Sequence, residues 1–186
     1  QRQMCIRDRG IGSDLPSSFF YLSLSNTVGG AIFHDGNLLP GDAFRCGEAG
    51  HMTLIPDGKP CYCGKTGCVD AYCSARLLSD LSGGRLEDFF LGLQQNNPDY
   101  RSVWDTYLKH LAVVINNLHM ILDYDIVLGG YVGSFLSPWL DTIRRLVAEH
   151  NTFEDDGSFV KLCTYQTGAA AYGAAMDVME EFLRTV

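Results

Sequence analysis

Gly47 to Cys68 reads GEAGHMTLIPDGKPCYCGKTGC, and the rest of the chain is organised around it. The stretch holds His51, Cys61, Cys63 and Cys68, three thiols and an imidazole within eighteen residues, with Gly50 just before them and Gly58, Gly64 and Gly67 set between them. Zinc takes sulfur and nitrogen ligands in fours at structural sites, and Cys3His is a standard set. Cys-x-Cys-Gly-x-x-Gly-Cys puts two ligands on one short arm and a third after a tight turn, where Gly64 and Gly67 can take positive φ at little cost. The expectation is one tetrahedral zinc site made by His51, Cys61, Cys63 and Cys68. Disulfides are the alternative, but seven cysteines is an odd count and nothing in the chain reads as secretory. A second alternative has His51 packed under the loop while water or another residue completes the site. A structural zinc contributes on the order of 10 kcal/mol of folding free energy, so a loop this rich in glycine is expected to be floppy without it.

Glu48-Ala49-Gly50-His51, followed ten residues after the histidine by Cys61-Tyr-Cys63-Gly-Lys-Thr-Gly-Cys68-Val-Asp70, closely resembles the signature of the ROK family, bacterial sugar kinases and sugar-responsive repressors. The resemblance implies that Glu48 and His51 bond sugar hydroxyls, that His51 also joins the three cysteines on zinc, and that Asp70 touches the sugar. An imidazole has two nitrogens, so a metal on one fixes the ring and aims the other at a ligand. Without the resemblance Glu48 is equally a solvated loop carboxylate. Asp70 stands where the family more usually has glutamate; its shorter reach leaves open a changed sugar or a role capping the helix that comes next.

With 186 residues and 46% hydrophobic content the chain can bury a sizeable core and suits one domain, or a domain with an appendage. Lys plus Arg is 14 against 22 for Asp plus Glu, a formal charge of −8, and no basic cluster exceeds Arg144-Arg145, so phosphate backbones of nucleic acid are repelled. The longest purely apolar run in the long helical segment is Leu111 to Ile115, far short of a bilayer span, and no signal peptide opens the chain. A soluble cytoplasmic protein without membrane or nucleic-acid partners is expected. Residues 1–9, QRQMCIRDR, differ in composition from the rest of the chain and read as a non-native leader resembling translated adapter sequence; a genuine polar arm is the alternative. Cys46, Cys73 and Cys163, outside the zinc set, are expected to pack as small apolar groups.

Phe19 to Leu24 reads as a strand, Ser25 to Gly30 as a turn rich in small residues, and Ala31 to Phe33 and Leu38-Leu39 as two more strands joined by the hairpin signal Asp35-Gly36. The Ser25-to-Gly30 turn is an ordinary tight turn or a phosphate cradle. In the resembling kinases this place usually reads Gly-Thr-Gly-x-Gly-Gly and lies on the ATP phosphates, which implies that Thr27 and Gly29 face the nucleotide; Ser25-Asn26-Thr27 departs from that pattern. Val69 to Leu81 and Arg85 to Gln95 read as helices. Pro98 opens the longest, to about Leu122, in which Trp104, Tyr107, Leu108, Leu111, Val114, Ile115, Leu118, Ile121 and Leu122 follow i, i+3, i+4 spacing. His110 and His119 lie on or beside it without a metal-spaced partner and read as structural or exposed. Asp125 to Leu128 is a short strand running into Gly129-Gly130 before a helix from about Phe135 to His150, either a plain turn or a nucleotide-docking βα junction. The resemblance places Gly129 and Gly130 beside adenosine. Phe159 to Cys163 is a last strand, and Thr167 caps a final helix whose near end, Ala169 to Ala175, is nearly free of side chains.

A meander followed by helices alternating with strands is α/β. The resemblance implies most of the C-terminal lobe of an actin-like ATPase (ribonuclease-H-like) fold over residues 10–186, with an inserted zinc loop at 47–68. It also implies an N-terminal lobe with Asp-x-Gly-x-Thr and an Asn-Asp pair supplying the general base. Neither motif occurs here, so a truncated front lacking the catalytic aspartate is expected. The implied activity is ATP-dependent phosphorylation of a hexose or N-acetylated hexosamine with Mg2+, in a homodimer, and the alternative is the sugar-sensing domain of a repressor.

Overall fold

A computed structural model of the chain describes residues 16–164 and residue 182. The stretches expected as a leader (1–9), as a Thr167 cap and as a small-residue helix after it lie outside the described residues. Three strands form the expected meander: β1 (Phe19–Leu24), β2 (Val28–His34) and β3 (Asn37–Leu38), each antiparallel to the one before. Asp35 and Gly36 both take positive φ, 48° and 72°, as a tight two-residue hairpin turn demands. β2 begins earlier than its apolar residues imply. Gly29 and Gly30 are strand residues paired with Ser23 and Leu22, which shortens the turn to Ser25–Thr27. Gly30 lies against the Phe20 ring and the Tyr21 carbonyl, where a Cβ would collide, so pairing there requires glycine.

β4 (Asp125–Gly129) pairs parallel to β1 and β5 (Val160–Leu162) parallel to β4, giving the order β3-β2-β1-β4-β5. Side chains alternate across β1. Phe20, Leu22 and Leu24 enter the main core with Ile126, Leu128 and the helices, while Phe19 and Tyr21 join Ala31, Phe33 and Val127 on the opposite face.

The helix expected over 69–81 is broken into α1 (Asp70–Cys73) and α2 (Ala75–Ser79), with a 3-10 turn at Asp80–Ser82. Ser74 is extended (ψ 153°), and the Ala75 N–H donates to the Ser25 carbonyl at 2.8 Å. A tertiary hydrogen bond to the turn after β1 thus replaces helical continuity. α3 spans Leu86–Gln94 and α4 Pro98–Leu122. Pro98 sits in the first turn of α4, and the Asn97 side chain accepts from the Asp99 and Tyr100 N–H groups as an N-cap. The expected stripe of α4 is core through Leu118, with Trp104, Leu111 and Ile115 fully buried, whereas Ile121 is exposed in the last turn. After β4 come α5 (Gly130–Gly133), a 3-10 turn at Ser137–Trp139 and α6 (Leu140–Ala148). α6 starts later than expected, after the 3-10 turn that carries Pro138, a residue with no N–H to donate into a continuous helix.

Both helix histidines are structural. His119 is buried, hydrogen-bonds the Tyr124 carbonyl through Nδ1 at 2.8 Å, and stacks on Phe159; His110 meets the Tyr72 ring edge-on. Cys73 and Cys163 are buried as expected, but Cys46 is only partly so. Among the described residues no helix is long and apolar enough to cross a membrane.

Candidate functional site

Two glycines press the Glu48–His51 segment onto the sheet. A Cβ on Gly47 would strike the Gly30 carbonyl of β2, and one on Gly50 the Val28 carbonyl. With neither present, the 3-10 turn Ala49–His51 lies flat on β2, with half-buried Glu48 at its N-cap and His51 at its end.

From His51 the chain enters an irregular loop held by isolated bridges between Thr53 and Cys68 and between Pro60 and Thr66. The Leu54 N–H donates to the Gly67 carbonyl at 2.7 Å, Cys61 N–H to Lys65 O at 2.8 Å, and Gly64 N–H to Cys61 O at 3.0 Å. Gly64 and Gly67 take φ of 85° and 78°, as their place between the cysteines implied.

This folding brings the donor atoms of His51, Cys61, Cys63 and Cys68 within 4.8 Å of one another. Cys63 Sγ lies 3.8 Å from Cys68 Sγ, and Cys61 Sγ 4.0 Å from His51 Nδ1. A tetrahedron with metal–sulfur bonds of about 2.3 Å has sulfur–sulfur edges of about 3.8 Å, so the donor set fits zinc. The thiols are not electrostatically alike. Burial, then the adjoining Cys63 and Cys61, push the Cys68 thiol up to about 12, while a backbone hydrogen bond at Lys65 is the chief influence lowering exposed Cys63. Three thiols this close ionise together only around a cation.

The other nitrogen of His51 faces away from the sulfurs. Nε2 lies 3.2 Å from the Tyr62 hydroxyl, and the two rings meet edge-on at 5.3 Å. Asp70 does not cap α1, because Val69 before it is already helical and makes no side-chain cap. Asp70 is 6% exposed, and its carboxylate accepts the Val28 N–H at 2.5 Å. Burial raises the Asp70 pKa, opposed by that hydrogen bond and by the field of His51.

The candidate nucleotide residues gather at the same end of the sheet. Ser23 pairs with Gly29 on one side and with Gly129 on the other. Gly130 has φ 80°, and a Cβ on it would come within 2.7 Å of Leu24 N and Ser25 Oγ; Gly129 lies against the Tyr21 hydroxyl. Thr27 is exposed, and the Cβ position of Gly29 opens onto free space. The Val28 N–H, by contrast, is committed to Asp70 and is not available to a phosphate. Through that bond, and through Gly47 and Gly50 on β2, the segment bearing Glu48, His51 and Asp70 joins the one bearing Thr27 and Gly29. Sequence reasoning missed Tyr62, whose signal was its place between two metal-type cysteines; Ser25 and Val28 lay within the turn it singled out, but the bond from Val28 N–H to Asp70 left no mark in the sequence.

Residues 12–181 match the sequence model of the ROK family. Among curated proteins the chain is similar to an N-acetylmannosamine kinase of Salmonella typhi, 29% identical over 84% of this chain and 55% of that protein. It is also similar to a glucokinase of Halalkalibacterium halodurans, 28% identical over 93% of this chain and 59% of that protein. The chain therefore spans a little over half the length of these relatives. Among solved structures, a ROK family glucokinase from Streptomyces griseus in complex with glucose and AMPPNP superposes with a TM-score of 0.74 at 20% identity, over 94% of this chain and 64% of that one. A ROK hexokinase from Thermus thermophilus gives 0.78 at 22% identity, over 95% and 62%. A ROK family transcriptional regulator, homolog of the E. coli MLC protein, gives 0.71 at 22% identity, over 94% and 50%. The fold is thus α/β of the actin-like ATPase (ribonuclease-H-like) type. With that fold, and with the family's sequence pattern running from residue 12 to residue 181, the chain belongs to the ROK family.

Proposed function

We propose that residues 10–186 are the C-terminal lobe of a cytoplasmic, homodimeric sugar kinase, which transfers the γ-phosphoryl group of ATP to a hydroxyl of a hexose or N-acetylated hexosamine with Mg2+. One observation carries this reading. The Glu48–His51 segment, laid on β2 by Gly47 and Gly50 and continuous with a Cys3His cluster, shares one end of the sheet with the glycines near the start of β2 and at the end of β4. Phosphoryl transfer rests chiefly on positioning and charge neutralisation, so a site of this kind needs rigid groups for two ligands side by side. In this reading Glu48, His51 and Asp70 hold sugar hydroxyls, and Thr27, Gly29, Gly129 and Gly130 face ATP. His51, Cys61, Cys63 and Cys68 hold zinc, which supplies rigidity to the loop and no chemistry of its own. The general base is placed on an aspartate outside this chain, so the chain alone is expected to be inactive.

A second reading, the sugar-sensing domain of a repressor, is favoured by Ser25-Asn26-Thr27 where the resembling kinases usually have Gly-Thr-Gly. ATP consumption by the whole protein across a panel of hexoses separates the two. Turnover on one or two sugars assigns the kinase, and sugar binding without turnover assigns the sensor. Within either reading, Glu48→Gln is expected to weaken sugar binding about ten- to a hundredfold, the value of a hydrogen bond to a charged group, with zinc content unchanged. Unaltered affinity in calorimetry removes Glu48 from the site.

A further inference from the structure

We propose that Tyr62 is an internal competitor for the sugar site: its hydroxyl fills the hydrogen-bonding position on His51 Nε2 that a sugar hydroxyl takes, and the sugar enters by displacing the phenol. This rests on the sugar-site reading above and adds a positioning residue to it.

The two faces of the His51 ring are assigned by geometry. Nδ1 points into the thiol cluster, 4.0 Å from Cys61 Sγ, while Nε2 points out to the Tyr62 oxygen at 3.2 Å. An imidazole bound to a metal through Nδ1 keeps its proton on Nε2 and has a single outward donor. One N–H makes one near-linear hydrogen bond, so a sugar oxygen and the Tyr62 oxygen cannot both hold it. The phenol is well placed to yield. Tyr62 is 66% exposed and sits in the turn closed by the Gly64 N–H to the Cys61 carbonyl, between two of the metal-type cysteines. Its backbone is thus anchored on both sides, while His51 is the partner of both its hydroxyl and its ring. The hydroxyl is also a fair mimic of a sugar's. A phenolic O–H both donates and accepts, as a sugar hydroxyl does.

Tyr62→Phe removes the competing oxygen and keeps the ring. Calorimetry of the zinc-loaded protein with D-glucose and with N-acetyl-D-mannosamine is expected to show affinity about two- to tenfold tighter for whichever sugar binds, the range of one exposed hydrogen bond. Zinc content stays unchanged. Without sugar, the His51 Nε2–H resonance in 15N-resolved NMR is expected to move in the variant. Unchanged or weaker sugar binding by Tyr62→Phe overturns the proposal, the weaker case making Tyr62 a sugar contact instead. An unmoved His51 resonance overturns it independently of any sugar. If neither protein binds sugar while Glu48→Gln also changes nothing, the sugar-site reading itself falls, and this inference with it.

Discussion

The loop at 47–68 and helix α4 at 98–122 are of similar length and are ordered by opposite means. α4 is regular, and its order comes from apolar burial: Trp104, Leu111 and Ile115 are wholly inside, with Tyr107 donating its hydroxyl to the Cys73 carbonyl at 2.8 Å. The loop has one short 3-10 turn and two isolated bridges, and of its ligand residues Cys61 and Cys68 are buried while His51 and Cys63 are exposed. Ala49, Met52, Leu54 and Ile55 pack against the core, but the rest of the loop relies on glycines that let backbone meet backbone and on four donor atoms converging on one point. A hydrophobic stripe tolerates small shifts because dispersion and burial are non-directional, whereas a tetrahedral ligand set depends on each atom's position. Under the proposed function that difference suits their tasks, the helix as scaffold and the loop as the part that holds ligand-facing groups in place.

Three substitutions test the contrast. The largest effect is expected from Cys63→Ser, which removes an exposed ligand without touching the core. Metal analysis should show zinc lost, and hydrogen exchange should show loss of protection across 52–68 with α4 unaffected. A structural zinc is worth on the order of 10 kcal/mol to its loop, so full zinc content in the purified variant would refute the ligand assignment. Trp104→Ala should do the reverse, lowering global stability by about 3–5 kcal/mol in denaturant unfolding while the folded protein retains its zinc. Loss of zinc at native conditions in that variant would show that loop and helix are not independent. Gly50→Ala acts at the seam between loop and sheet. The new Cβ meets the Val28 carbonyl, and overpacking there is expected to cost about 1–3 kcal/mol and to weaken sugar binding along with stability. A stability change with sugar affinity intact would place the ligand-facing groups away from this seam.

What could be read without coordinates was whatever lies in local spacing. Pro98 to Leu122 has the observed bounds of α4 because a proline, a capping asparagine and a period of 3.6 are all properties of neighbours in the chain. Asp35-Gly36 specified its hairpin for the same reason, and the cysteines with Gly64 and Gly67 between them converge as their short spacing requires. Contacts between distant segments were decided otherwise. Ser74 breaks a helix because Ala75 reaches back to Ser25, β2 starts early because Gly30 fits beneath Phe20, and Asp70 turns from its own helix to the Val28 N–H. Ser23 joins Gly29 to Gly129 across one hundred residues because β1 and β4 run parallel, and parallel pairing leaves no mark in the intervening sequence. Local order follows from backbone preference and periodicity, which each segment carries with it; the site needs carbonyls, amides and side chains from separate segments to meet within about 3 Å, and only the packed sheet and helices set those distances.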